Sequence, residues 1–267
     1  MSVQTISTAP QTAMTMSART RDRLLSVISP LALLIVWELC ARFGFIDTRF
    51  FPAPSSVLAT LIDMLRTGEL VTHTVVSMER LVYGTLLGGL PALILGIAMG
   101  LNRPIRALFD PLIAATYPVP KSAILPLALL IFGLGEGSKI FMVAIGVFFP
   151  VAINTTTGVL EINKIYLDVG ANFKASRWNM FWTIALPGAL PVIMTGFKLG
   201  IGIGLVLIAV AEMVGAKSGL GYLIWSAWST FAVEQMYVGL FVIAIIGFLI
   251  TLGLNELERI VIPWKSA

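Results

Sequence analysis

The sequence predicts an all-α, polytopic membrane protein with about six transmembrane helices, and three observations carry that prediction. Of its 267 residues, 57% are apolar and only 12% charged, whereas soluble domains carry roughly a quarter of charged residues. Apolar runs of about 20 residues, enough to cross a bilayer core of about 30 Å as a helix, recur along the chain. The runs are continuous instead of alternating, so the backbone groups are satisfied within helices and not in a closed barrel.

Taken in order, the spans are predicted near residues 25–45, 76–100, 109–132, 139–160, 192–212 and 236–255. The Ser/Thr-rich residues 1–23, ending in Arg19, Arg21 and Arg23, read as a disordered tail. Basic residues before an apolar run also describe a signal peptide, but no small-residue cleavage pattern follows Leu39, and Cys40 follows "WEL". The expected organisation is therefore a tail over 1–23, a first span with an outer loop over 24–75, and a five-helix core over 76–267.

The distribution of Lys and Arg sets the expected orientation. With the N-terminus inside, the inner segments hold Arg19, Arg21, Arg23, Arg103, Arg106, Lys164, Lys174, Arg177, Arg259 and Lys265. The outer segments hold Arg42, Arg49, Arg66, Lys139 and Lys217. Positive residues favour the cytoplasmic side, so both termini and the loop 161–191 are expected there. The net charge of +4 then reflects topology and attraction to anionic lipid, with no role for nucleic acid.

Composition also excludes chemistry. One cysteine and one histidine, His73, leave no internal disulfide and no zinc site of the usual kind, so no metal is expected. His73 is expected to be solvated in an outer loop. The nearest approach to a phosphate-binding loop is "AEMVGAKSG" at 211–219, where Ala211 and Ala216 replace both required glycines. No Gly-x-Ser-x-Gly elbow is present. An enzyme is not expected; a transporter, a channel or a scaffold remains.

Two features favour transport. Gly84, Gly88, Gly89, Pro91, Gly96 and Gly100 fall in the second span, Pro118, Pro120 and Pro126 in the third, and Gly196, Gly200, Gly202 and Gly204 in the fifth. Such residues serve either close helix packing or helices that line a cavity and rock. Arg80, Lys198 and Glu212 lie within spans or at their edges, where each needs protein or water beside it, and they are the candidate pathway residues. Lys198 and Glu212 are separated by about 21 Å along one helix and cannot pair with each other. Glu79 and Asp110 are the candidate partners for the two cations.

One loop stands out: "KASRWNMFWTIALPGALP", residues 174–191. Ser176 is placed to cap a helix on which Trp178, Phe181, Trp182 and Ala185 share a face. Leu186-Pro187 is expected to stop that helix, and Pro191 suits the first turn of the next span. Residues 166–173 form a preceding short helix, with a turn near Lys174. The segment is either an amphipathic element in the lipid headgroups or a compact aromatic knob that inserts into a partner protein.

At this point a resemblance is visible. "DVGANFKASRWNMFWTIALPGALPVIMTGFKLGIG" resembles the cytoplasmic coupling loop of type I ABC importer permeases. "WELCARFG", "FPAPSSV", "YPVPKSAILPLALLIFGLGEGSKI", "FFPVAINTTTGV" and "AEMVGAKSGLGYLI" resemble the nitrate, sulfonate and taurine branch of that family. The similarity covers about residues 31–264. Ala175, Ser176, Leu186, Pro187, Ala189 and Pro191 match the loop motif; Asp168 stands where the family has Glu, Gly170 where it has Ala, and Lys174 replaces the turn glycine. The resemblance implies that Asp168, Gly170, Ala171, Lys174, Ala175, Ser176, Arg177, Trp178, Phe181, Leu186, Pro187 and Pro191 form the ATPase-coupling loop. It implies a permease subunit of the bacterial inner membrane that hydrolyses nothing. Its partners would be two copies of an ABC ATPase that bind ATP and Mg, a second permease chain, and a periplasmic or lipid-anchored solute-binding protein. Small anions such as alkylsulfonates, taurine or nitrate are the implied solutes, although relatives also carry thiamine-pyrimidine precursors. The competing class is a secondary transporter driven by an ion gradient, which prolines in broken helices would also suit.

Overall fold

The computed structural model describes residues 18–265, and among them no strand occurs. The chain forms two compact units, up to Ser56 and from Val57 onward. The first unit holds α1 (Ala18–Arg42), so residues 18–23 of the expected tail are helical, while 1–17 lie outside the described residues. From Ile28 onward most of its large apolar side chains are exposed. Glu38 closes this unit by accepting from the Ser55 amide at 3.0 Å and hydroxyl at 2.8 Å.

The second unit is built on α3 (Glu69–Leu101), α6 (Glu136–Leu160) and α9 (Leu186–Met213). Central α6 packs on α3 along one side and on α9 along the other. Most of the glycines predicted to weaken helices are the reason these backbones approach so closely. A methyl group at Gly88 would meet the Ala144 carbonyl oxygen at 2.1 Å, and one at Gly200 would meet the Val147 carbonyl oxygen at 3.1 Å. Small residues let helices meet by van der Waals contact where lipid supplies no hydrophobic drive. Gly202, by contrast, faces open space.

Among the described residues four helices are long and apolar enough to cross a membrane, and a bent pair makes a fifth. The four are Glu69–Leu101, Glu136–Leu160, Trp178–Met213 and α11 (Val233–Val261). The expected straight span over 109–132 is corrected: α4 (Arg103–Thr116) and the segment Lys121–Phe132 meet at a bend of 88°. Pro118 and Pro120 supply no amide hydrogen; Tyr117 is still helical at φ −59° and ψ −43°, and the chain has left helix by Pro120, whose ψ is 116°. It re-enters helix through a 3₁₀ turn, Lys121–Ile124, and α5 (Leu125–Phe132), with Pro126 in the first turn.

Two helices between spans went unforeseen: α2 (Pro54–Arg66) and α10 (Leu220–Ser229). α10 packs so closely on α9 that a methyl at Gly221 would meet the Ala209 carbonyl oxygen at 2.1 Å. The loop 161–191 carries α7 (Lys164–Asn172) and α8 (Arg177–Met180).

Candidate functional site

The residues expected to form the coupling loop gather at one end of the second unit. Asn163 caps α7 by accepting from the Ile165 amide at 3.0 Å. α7 then ends in a turn where the Ala175 amide donates to Gly170 O at 3.0 Å and the Lys174 amide to Ala171 O at 2.9 Å. These are the paired bonds of a Schellman turn, which needs a left-handed residue between them. Lys174 occupies that position with φ of 51°. The turn therefore stays where the sequence places it, although a side chain there costs about 1–2 kcal/mol relative to glycine. Gly170 is buried, and a methyl there would meet Met180 Cε at 2.8 Å and Ile184 Cδ1 at 2.6 Å, so α7 lies against the following helix through it. Asp168 lies on α7, and Ala171 supplies the acceptor already named.

Ser176 caps α8 as expected from its type, its Oγ accepting from the Asn179 amide at 3.2 Å; Arg177 is the first residue of that helix. The expectation that Leu186-Pro187 stops the helix is corrected. Helix runs unbroken from Trp178 to Met213, with Pro187 in the first turn of α9 and Pro191 inside it. The proline is accommodated by a wide π turn, Phe181–Ala185, in which the Leu186 amide donates to Phe181 O. Widening by one residue removes the demand that Pro187 satisfy an α-helical bond it cannot make.

The aromatic set is also redistributed. Trp178 and Trp182 are 69% and 50% exposed, their rings 5.4 Å apart and edge to face. Phe181, Leu186 and the buried Ala185 turn the other way, onto Val159, Ile162, Ala189 and Ile193. One side of the knob is thus its foundation and the other a free pair of indoles. Beneath it lies a cavity of about 630 Å³, reached by Asn102, Ile162, Leu167, Ala175 and Phe181.

The opposite end of the same three helices holds the other candidates. Arg80 of α3 is 2% exposed. It donates through Nη1 to Glu212 of α9 at 2.8 Å and through Nε and Nη2 to Glu136 of α6, both at 2.6 Å. Its carboxylates are thus Glu136 and Glu212, not Glu79 or Asp110. Glu212 is fully buried and also accepts from the Ser77 hydroxyl at 2.8 Å and the Gly221 amide at 2.9 Å. The segment 214–221 is tied down throughout: Lys139 donates to Gly215 O at 3.4 Å, Arg80 to Ser218 O at 2.8 Å, and Leu220 N to Ser77 Oγ at 2.8 Å. His73 belongs to this set and not to a solvated loop. It lies on α3, takes the Gly219 amide on Nδ1 at 3.1 Å, and packs beside the Tyr222 ring. A buried charge is retained at tolerable cost only when it is paired and its remaining hydrogen bonds are met, and both conditions hold here.

Lys198 lies away from this cluster and pairs across to α11, donating to Glu258 and to Asn255. Both cations proposed for the pathway are therefore neutralised by carboxylates. Ser77, Glu136, Lys139 and His73 escaped the sequence reading as partners. Glu136 and Lys139 stand just before and at the start of a predicted span, which marks a helix end but not its neighbours. Among the described residues no group of three or more His, Cys, Asp or Glu is placed to hold a metal ion.

Long apolar helices sealed by glycine contacts, with charges paired inside and a knob continuous with one span, define a polytopic helical membrane protein. The chain belongs to the family of binding-protein-dependent transport system inner membrane components, whose pattern matches residues 92–266. It is 36% identical over 254 residues to the taurine transport system permease protein TauC of Escherichia coli (strain K12), covering 92% of this chain and 91% of the relative. It is 30% identical over 241 residues to the putative aliphatic sulfonates transport permease protein SsuC of Bacillus subtilis (strain 168), covering 90% and 87%. In fold it is similar to the crystal structure of an amino acid ABC transporter with histidines. That match has a TM-score of 0.59 and 16% identity over 76% of this chain and 97% of the other. The chain is thus a permease of the inner membrane that works with an ATPase and a solute-binding protein.

Proposed function

We propose that this permease carries small alkylsulfonates, taurine among them, inward across the bacterial inner membrane, with the loop 161–191 gripped by a separate ATPase subunit. Two permease chains, two ATPases and one binding protein make the working assembly. Both termini and the loop lie in the cytoplasm. ATP and Mg bind the ATPase alone; this chain contributes no catalytic residue.

The observation that carries the reading is the continuity of the helix Trp178–Met213. At one end it presents Trp178 and Trp182 to solvent; at the other it holds Glu212 in the buried cluster. Asp168, Gly170, Ala171, Lys174 and Ala175 shape the adjoining turn, and Ser176, Arg177, Phe181, Leu186, Pro187 and Pro191 the root of the knob. A push on the knob reaches the far end as the displacement of one rod of about 54 Å at 1.5 Å per residue. ATP binding draws two such knobs together, and the free energy of that differential contact drives the change of access. Arg80, Lys198 and Glu212 hold the helices in register during it.

Two experiments test the reading. With Ser176→Cys in a Cys40→Ser background, thiol crosslinkers of graded length are expected to join the knob to the ATPase in membranes; no product at any length defeats the docking claim. Taurine uptake into proteoliposomes of the assembled complex is expected to require ATP and to survive collapse of the proton gradient. Uptake driven by a gradient without ATP would instead assign the chain to secondary transport.

A further inference from the structure

We propose that the ammonium of Lys121 holds the anionic head of the transported solute midway through the pathway. The inference rests on the reading of the chain as a sulfonate importer and adds to it the residue that meets the charge.

Arg80, Lys121 and Lys198 fall inside predicted spans. Two of them are spoken for, Arg80 by Glu136 and Glu212 and Lys198 by Glu258. Lys139, at the start of α6, has Glu136 and Glu212 acting on it. Lys121 has no such counterpart, for no carboxylate acts on it among the described residues. Its Nζ donates to two backbone carbonyls, Thr116 O at 2.8 Å and Tyr117 O at 3.2 Å. An ammonium carries three donors, so one N–H has no protein acceptor among the described residues.

Its place in the fold makes that vacancy informative. Lys121 is the first residue after the 88° break in the broken span. Its ammonium lies 4.0 Å from the centre of the Phe149 ring and 6.0 Å from that of Tyr117. Phe149 stands near the middle of α6, about 20 Å from the Glu136 end and about 17 Å from the Leu160 end at 1.5 Å per residue. The half-buried charge thus sits level with the middle of α6, at mid-depth, where an unneutralised cation is strongly disfavoured and marks a solute path by default. Ring contact attracts the ammonium without cancelling its charge. Broken helices at mid-depth are also where carriers place solute sites. The chemistry that completes the site is a compact oxyanion, which supplies both the missing acceptor and the opposite charge.

The test uses the whole complex, reconstituted with its ATPase and binding protein, and uptake of radiolabelled taurine and methanesulfonate. In the Cys40→Ser background, Lys121→Cys is expected to lower uptake by about tenfold or more, while Lys121→Arg keeps it within about threefold. The cysteine variant is then treated in place with methanethiosulfonates carrying either an aminoethyl or a hydroxyethyl group. Restoration by the aminoethyl reagent alone supports the proposal, because only it returns a cation. Restoration by both reagents overturns it, since the hydroxyl satisfies the kink carbonyls without charge. Restoration by neither, in a complex that still co-purifies, also overturns it, as does Lys121→Cys uptake within about twofold of the parent. If the Cys40→Ser parent carries neither sulfonate, the substrate reading itself fails and this inference falls with it.

Discussion

The guanidinium of Arg80 on α3 meets the carboxylate of Glu212 on α9 at 2.8 Å, with both side chains almost wholly shielded from solvent. This ion pair stands at the end of the bundle opposite the knob, and the same arginine reaches Glu136, which is 63% exposed. The three long helices of the second unit are therefore joined at that end by one side chain.

Removing one member of the pair leaves a buried charge without its counterpart, which typically costs about 3–5 kcal/mol. Arg80→Gln and Glu212→Gln are each expected to lower the thermal midpoint of the purified chain sharply. The double variant is expected to recover part of the loss, because neither member of the pair is then left charged without the other. A double variant whose loss equals the sum of the singles would show that the pair does not couple.

Lys174 at φ of 51° carries strain that glycine does not. Lys174→Gly is expected to strengthen the turn by about 1 kcal/mol. Limited proteolysis between α7 and α8 should slow accordingly. Lys174→Pro should do the reverse, because proline cannot take that φ and loses the amide that donates to Ala171 O.

Two glycines of similar sequence context should respond in opposite senses. A methyl at Gly88 meets backbone at 2.1 Å, whereas one at Gly202 meets nothing within 4 Å. Gly88→Ala is expected to pry α3 from α6 and destabilise the fold by about 2 kcal/mol or more, as overpacking does. Gly202→Ala is expected to be neutral or to gain up to about 1 kcal/mol from helix propensity. Thermal melts of the two variants side by side decide the point.

The π turn Phe181–Ala185 sets the rotational phase between the knob and the span. Pro187→Ala at unchanged chain length should convert the turn to regular helix and rotate Trp178 by about 100° about the axis, the step of one residue that the wide turn absorbs. The expected outcome is a folded chain that no longer crosslinks to the ATPase from position 176. Crosslinking at the parent's rate would show that the turn merely accommodates Pro187.

How far the sequence could be read depended on how local each signal was. Hydropathy and run length identify a membrane chain and place the long helices, because crossing lipid constrains every stretch of about 20 residues independently. The knob was legible for the same reason: a serine cap and a turn at 174 are set by neighbours a few positions away. The fate of Pro187 was not. Proline forbids one hydrogen bond, but whether the chain stops or widens depends on the packing of Phe181 and Ala185 onto Val159, Ile162 and Ile193, which no local pattern reports.

The sequence by itself determined that this is a helical membrane protein, placed a serine cap and a turn in the loop 161–191, and named Arg80, Lys198 and Glu212 as charges that must find partners. Only the tertiary structure decided which partners: Arg80 with Glu136 and Glu212, Lys198 with Glu258, and His73 with the Gly219 amide, and it left Lys121 without a carboxylate among the described residues. Hydrophobicity acts on each segment alone, whereas ion pairs and glycine contacts depend on the register of helices whose residues stand far apart along the chain.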